Sequence, residues 1–102
     1  MTALPSTMLA IEISSPGGPE VLRPVRRSLP VPADGEVLIQ VEAAGVNRPD
    51  VLQRRGHYAP PPGASDLPGL EVAGHIAALG PGVSDWRVGD TVTALEIGRA
   101  HV

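Results

Sequence analysis

The chain has 102 residues and a mass of 10.5 kDa, enough for one small domain or a piece of a larger protein, and its 42% hydrophobic content must build a core with no Phe, one Trp and one Tyr. Eight Arg and no Lys against eleven acids leave a net charge of -3, with no basic stripe that would favour nucleic acid as a partner. The absence of cysteine excludes disulfides and thiolate metal centres. The lack of a basic-then-apolar leader, or of any run near the roughly 20 apolar residues that span a bilayer, reads as a soluble cytoplasmic chain with no membrane partner.

In chain order, Thr7 to Ser14 is apolar apart from Glu12 and the polar ends, and Pro16-Gly17-Gly18-Pro19 stops it, which predicts a first strand and a turn. Val21 to Leu29 returns as a second strand, and Pro24 within it points to an edge position. After the Pro30, Pro32 and Asp34-Gly35 break, residues 36–44 alternate. Val37, Ile39, Val41 and Ala43 are expected on one face, and Leu38, Gln40 and Glu42 on the other.

Residues 47–56 then carry the signals of a two-turn helix in order: Asn47 as N-cap, Pro49 and Asp50 in the first turn, Arg54 and Arg55 at the end and Gly56 beyond it. A loop with three consecutive prolines follows. Leu70 to Leu79 resumes as a strand, with Gly74 a bulge or close-approach site, and a turn at Val88-Gly89-Asp90 enters a last strand, with Asp90 able to accept from nearby amides. The predicted order is three strands, a short helix and two strands. There is no Gly-x-Gly-x-x-Gly after a strand, so no dinucleotide fold lies within these residues.

Each candidate residue has a structural reading of its own. Asn47 as a helix cap is worth about 1 kcal/mol without any ligand; Asp50 satisfies first-turn amides and the helix dipole; Tyr58 can cover the short helix. His57 and His75 share no metal spacing and read as exposed and strand-packed, respectively. Glu71, at the head of an apolar strand, needs a partner, for which Arg48 and Arg54 are candidates. Trp86 reads as core or as a cover over the barrel end.

Taken jointly, Asn47-Arg48-Pro49-Asp50, Gln53-Arg54, Gly56-His57-Tyr58, residues 60–65, Gly69-Leu70-Glu71, Gly74-His75 and Val88-Gly89-Asp90 resemble the N-terminal catalytic domain of the zinc-independent, zeta-crystallin-like quinone oxidoreductases of the medium-chain dehydrogenase/reductase superfamily. The resemblance covers nearly the whole chain to Leu95. It implies a mainly β fold, a GroES-like partly open β-barrel with one short helix over residues 1–95, incomplete and without its Rossmann domain.

The resemblance also implies an NAD(P)H:quinone oxidoreductase as the full-length protein, a homodimer using NADPH in preference to NADH. Its substrate would be a quinone or related electron-poor enone, and the fragment alone would be inactive. Asn47 and Asp50 would bind cofactor and Tyr58 would be catalytic, since amide and phenol groups can donate to an oxygen that gains negative charge. Zinc-dependent relatives would carry a cysteine at position 47 and a histidine at position 70; Asn47 and Leu70 replace neither, so no zinc is expected.

Residues Glu96 to Val102 fit neither the preceding strand nor a domain end, and match one reading frame of a common sequencing adapter, so they are expected to be a non-native tail. The rival reading is a stand-alone GroES-like binding module of the co-chaperonin type, which the turn at Val88–Val92 also resembles. Such a module would need a mobile apolar docking loop where this chain has a capped helix and a proline loop.

Overall fold

Short apolar strands pair here, and prolines and glycines decide where the chain turns between them. The computed structural model describes residues 4–59 and 65–95. Residues 60–64 of the proline loop and the tail at 96–102 lie outside the described residues.

Strands β1 (Thr7–Ile13) and β2 (Leu22–Ser28) form an antiparallel pair running from Thr7 opposite Ser28 to Ile13 opposite Leu22. One turn of 3-10 helix, Pro19–Val21, begins the return, and Pro19 suits its first turn, where a missing N–H costs nothing. Pro24 sits opposite Ile11 and is tolerated because β2 has only one neighbour in its sheet.

Strands β3 (Val37–Ala44), β4 (Glu71–Leu79) and β5 (Thr91–Leu95) form a second antiparallel sheet in the order β3-β4-β5. The helix α1 (Arg48–Arg54) lies in the β3–β4 connection. The predicted element order is therefore observed, as two open sheets and one helix, and the strand limits agree to within a residue or two. The core is aliphatic, comprising Ala10, Val21, Leu38, Ile39, Leu67, Val72 and Ile76.

Gly74 sits where the sequence placed a close approach: a Cβ there would collide with the Gln40 carbonyl. The expected faces of β3 need correction. Leu38, assigned to the polar face, is buried beside Ile39, whereas Ala43, assigned inward, is exposed.

Two bulges are the cause. Pairing steps from Leu38–Ala78 to Ile39–Ile76, which leaves Ala77 unmatched, and from Val41–Gly74 to Ala43–Ala73, which leaves Glu42 unmatched. Each extra residue turns the strand and breaks strict alternation. Of the two roles read for Trp86, a place in the core is excluded: it is 47% exposed, on a turn whose backbone is held by Gly89 donating to the Ile76 carbonyl.

Ties that are not strand pairings hold the β1–β2 hairpin on the rest of the protein. Gly17 N–H donates to the Arg54 carbonyl at 2.9 Å, and Arg54 Nε donates back to the Gly17 carbonyl at 3.1 Å. Arg27 on β2 grips both oxygens of Asp66 at 2.7 and 2.9 Å and also reaches Glu12, while Gln53 of α1 donates to the Asp66 carbonyl. Hairpin, helix and pre-β4 loop thus meet around residues 65–67.

Candidate functional site

Three backbone donors, of Gly45, Asn47 and Gly69, tie the β3–α1 connection to the start of β4. Gly45 N–H donates to the Glu71 carbonyl at the start of β4. Asn47, extended at φ -125 and ψ 164, is the N-cap predicted from sequence, and its own N–H donates to Asp50 Oδ2 at 2.9 Å. The other carboxylate oxygen, Asp50 Oδ1, accepts from Gly69 N–H at 3.0 Å. Asp50 therefore ties the helix start to the segment leading into β4, a role 19 residues away in sequence.

Glu71 completes this cluster. Its side chain lies against the Cα of Gly45, where any Cβ would collide with Oε1, and Oε1 accepts from Asn47 Nδ2 at 3.3 Å. The expected arginine partners are corrected here. Arg54 is turned to Gly17, and the amide of Asn47 takes the carboxylate. A carboxylate only accepts, so the amide turns its nitrogen toward Glu71, while the Asn47 side chain faces the Asp50 backbone N–H and the two residues form a capping box.

The other end of α1 closes as predicted, with Gly56 beyond the last turn at φ +84. Gly56 N–H donates to the Gln53 carbonyl and His57 N–H to the Leu52 carbonyl, the paired bonds of a glycine-terminated helix. Tyr58 follows, half-buried, and makes no hydrogen bond to the described residues. Asn47 and Asp50 are thus brought together with Glu71, while no hydrogen bond joins Tyr58 to any of them.

A shallow cavity of about 460 Å³ lies at this C-terminal end, lined by Pro16–Pro19, Arg54, Arg55 and His57. It contains none of the three candidates and coincides with the seam where the hairpin turn docks on the helix. His57 is exposed, as expected. His75 differs from its expected packed role: its side chain, 42% exposed, bonds through Nδ1 to Glu42 Oε1 at 2.8 Å, two residues beyond its strand partner Gln40.

The pair missed from sequence is Arg27–Asp66. The guanidinium hydrogen bonds hold the Asp66 carboxyl below the usual carboxylate range, and the Arg27 pKa is raised in turn. Among the described residues no three His, Asp or Glu converge as a metal ligand set would.

With this geometry in view, residues 33–101 match the family model of the alcohol dehydrogenase GroES-like domain. A quinone oxidoreductase of Lama guanicoe is 45% identical over 86 residues, covering 83% of this chain and 26% of that protein. The crystal structure of the human synaptic vesicle membrane protein VAT-1 homolog-like protein superposes with a TM-score of 0.79 at 38% identity, covering 87% of this chain and 29% of that one. A mycobacterial protein complexed with NADPH superposes with a TM-score of 0.75 at 43% identity, covering 87% and 28%. The chain spans about a quarter of the length of the curated relatives it matches.

Proposed function

The chain belongs to the alcohol dehydrogenase GroES-like domain family of the medium-chain dehydrogenases/reductases, and from that premise we propose that it is the N-terminal catalytic domain of an NADPH:quinone oxidoreductase working without zinc. The observation that carries this reading is the make-up of the α1 entrance: an amide and two carboxylates, Asn47, Asp50 and Glu71, joined to one another and to Gly45 and Gly69. Neither Asn47 nor Leu70 offers the thiolate or imidazole that binds Zn²⁺ well.

The acceptors at the entrance fit the hydroxyl-rich end of a dinucleotide. Asp50 spends one lone pair of each oxygen on a backbone N–H and keeps a second on each, which can accept from a ribose hydroxyl. When bound, the reduced nicotinamide supplies a hydride to an electron-poor carbonyl or enone. On the protein side, Tyr58 would donate its phenolic proton to the carbonyl oxygen that gains charge, and its O–H is uncommitted among the described residues.

The whole protein, carrying the nucleotide-binding part that relatives of this length would add, is expected to be cytoplasmic and homodimeric. It should oxidise NADPH when a quinone is added, and metal analysis of the active preparation should return less than one zinc per several chains. An active preparation with stoichiometric zinc, whose activity is lost on chelation, would overturn the zinc-free part; absence of quinone-dependent NADPH oxidation would overturn the whole.

A further inference from the structure

The hairpin turn and the end of α1 form the shallow cavity of about 460 Å³ between them, with Pro16 to Pro19 on one side and Arg54, Arg55 and His57 on the other. Every ionisable side chain in its lining is basic. Among the described residues none of these three pairs with a carboxylate, although the chain carries eleven acids against eight arginines. The acid that follows the turn, Glu20, is not part of the lining and lies against Gly18.

The donors around the cavity are largely unspent. Arg54 commits Nε to the Gly17 carbonyl at 3.1 Å, which orients its guanidinium and leaves the Nη donors open. Arg55 and the His57 ring make no hydrogen bond to the described residues, and the Gly18 N–H donates to none of them. A helix C-terminus repels anions through its orphaned carbonyls. Here the carbonyls of Val51, Leu52, Gln53 and Arg54 all accept, from the N–H groups of Arg55, His57, Gly56 and Gly17, so the basic side chains set the local field.

We propose that this seam is an oxyanion site that takes a phosphate group, free or as a monoester, held by Arg54, Arg55 and His57 opposite Gly18. A tetrahedral dianion offers acceptor oxygens to donors on two chain segments at once, and guanidinium groups pair with phosphate through parallel N–H···O bonds. A chloride ion cannot do this. The site lies at the opposite end of α1 from Asn47 and Asp50 and does not rest on the redox reading. Because its donors belong to both the hairpin turn and the helix end, a bound phosphate also braces the joint where Gly17 and Arg54 exchange hydrogen bonds, and stabilises it by linkage.

The test is a phosphate titration of the full-length protein at fixed pH and ionic strength, with sodium chloride as the reference salt. Inorganic phosphate should bind with a Kd on the order of 1 mM, and hydrogen exchange of the Gly17 amide should slow about threefold or more at saturation. Arg55→Gln and His57→Gln alter exposed side chains and should each raise that Kd about fivefold. Neither side chain is bonded to the fold, so both variants should keep the wild-type melting temperature in chloride, which separates lost affinity from lost structure. Phenyl phosphate binding as tightly as inorganic phosphate assigns the site to a monoester, and binding of inorganic phosphate alone assigns it to the free ion. A response to phosphate no larger than that to chloride, or variants that bind phosphate as the wild type does, would overturn the site.

Discussion

The two ends of α1 are built by the same local rules and leave different chemistry behind. At the C-terminal end the backbone groups are spent on folding: Gly56 and His57 N–H bond to the last turn, and Arg54 exchanges hydrogen bonds with Gly17. The basic residues there also complement the negative end of the helix dipole. At the N-terminal end the polar groups are engaged too, but Asp50 and Glu71 retain unused acceptor capacity, each carboxylate oxygen having a second lone pair. An element seven residues long thus has one end that is a joint and one end with acceptors to spare.

The largest expected effect on this contrast comes from Asp50→Ala. It removes the acceptor of two backbone N–H groups, on Asn47 and Gly69, and should cost about 2–3 kcal/mol in chemical denaturation as well as weakening NADPH binding. If only binding changes, Asp50 is not the tie between helix start and β4 described above.

Gly56→Ala should act on stability alone. A non-glycine residue at φ +84, with its Cβ 3.0 Å from Pro16 Cβ, should cost about 1–2 kcal/mol. Unchanged NADPH affinity in that variant would confirm that the C-terminal end is a joint; a matching loss of affinity would erase the distinction.

The smallest effect concerns the Arg27–Asp66 tie. The folded Asp66 carboxyl titrates below its unfolded value, so its contribution is fully present above about pH 4, the ordinary carboxylate range, and fades as pH falls through the folded pKa. Its side chain is 70% exposed, which keeps the gain small. A melting-temperature profile between pH 2 and 6 should therefore flatten slightly in Asp66→Asn; an identical profile would show that the pair adds nothing.

What could be read from sequence was local. The helix, its asparagine cap and its terminal glycine depend on residues within ten positions of one another, and Gly74 announces itself as a glycine inside a strand pattern. The faces of β3 could not be read because the bulges at Ala77 and Glu42 arise from how two strands align, not from either strand alone. Asp50 was legible as a first-turn acid, whereas its bond to Gly69 depends on a chain reversal. Glu71 looked for an arginine because charge favours one, but Gly45 leaves room for its side chain beside Asn47 and nothing in the local sequence says so. Arg27 on β2 and Asp66 in the loop before β4 are 39 residues apart, beyond any periodic signal.

The most direct measurement is the NADPH Kd of the full-length protein with one residue removed at each end of the helix. Asn47→Ala should raise Kd about tenfold, while Arg55→Ala leaves it within twofold. Equal losses from both variants, or a loss from Arg55→Ala alone, would contradict the claim that the helix start is the end that faces the cofactor.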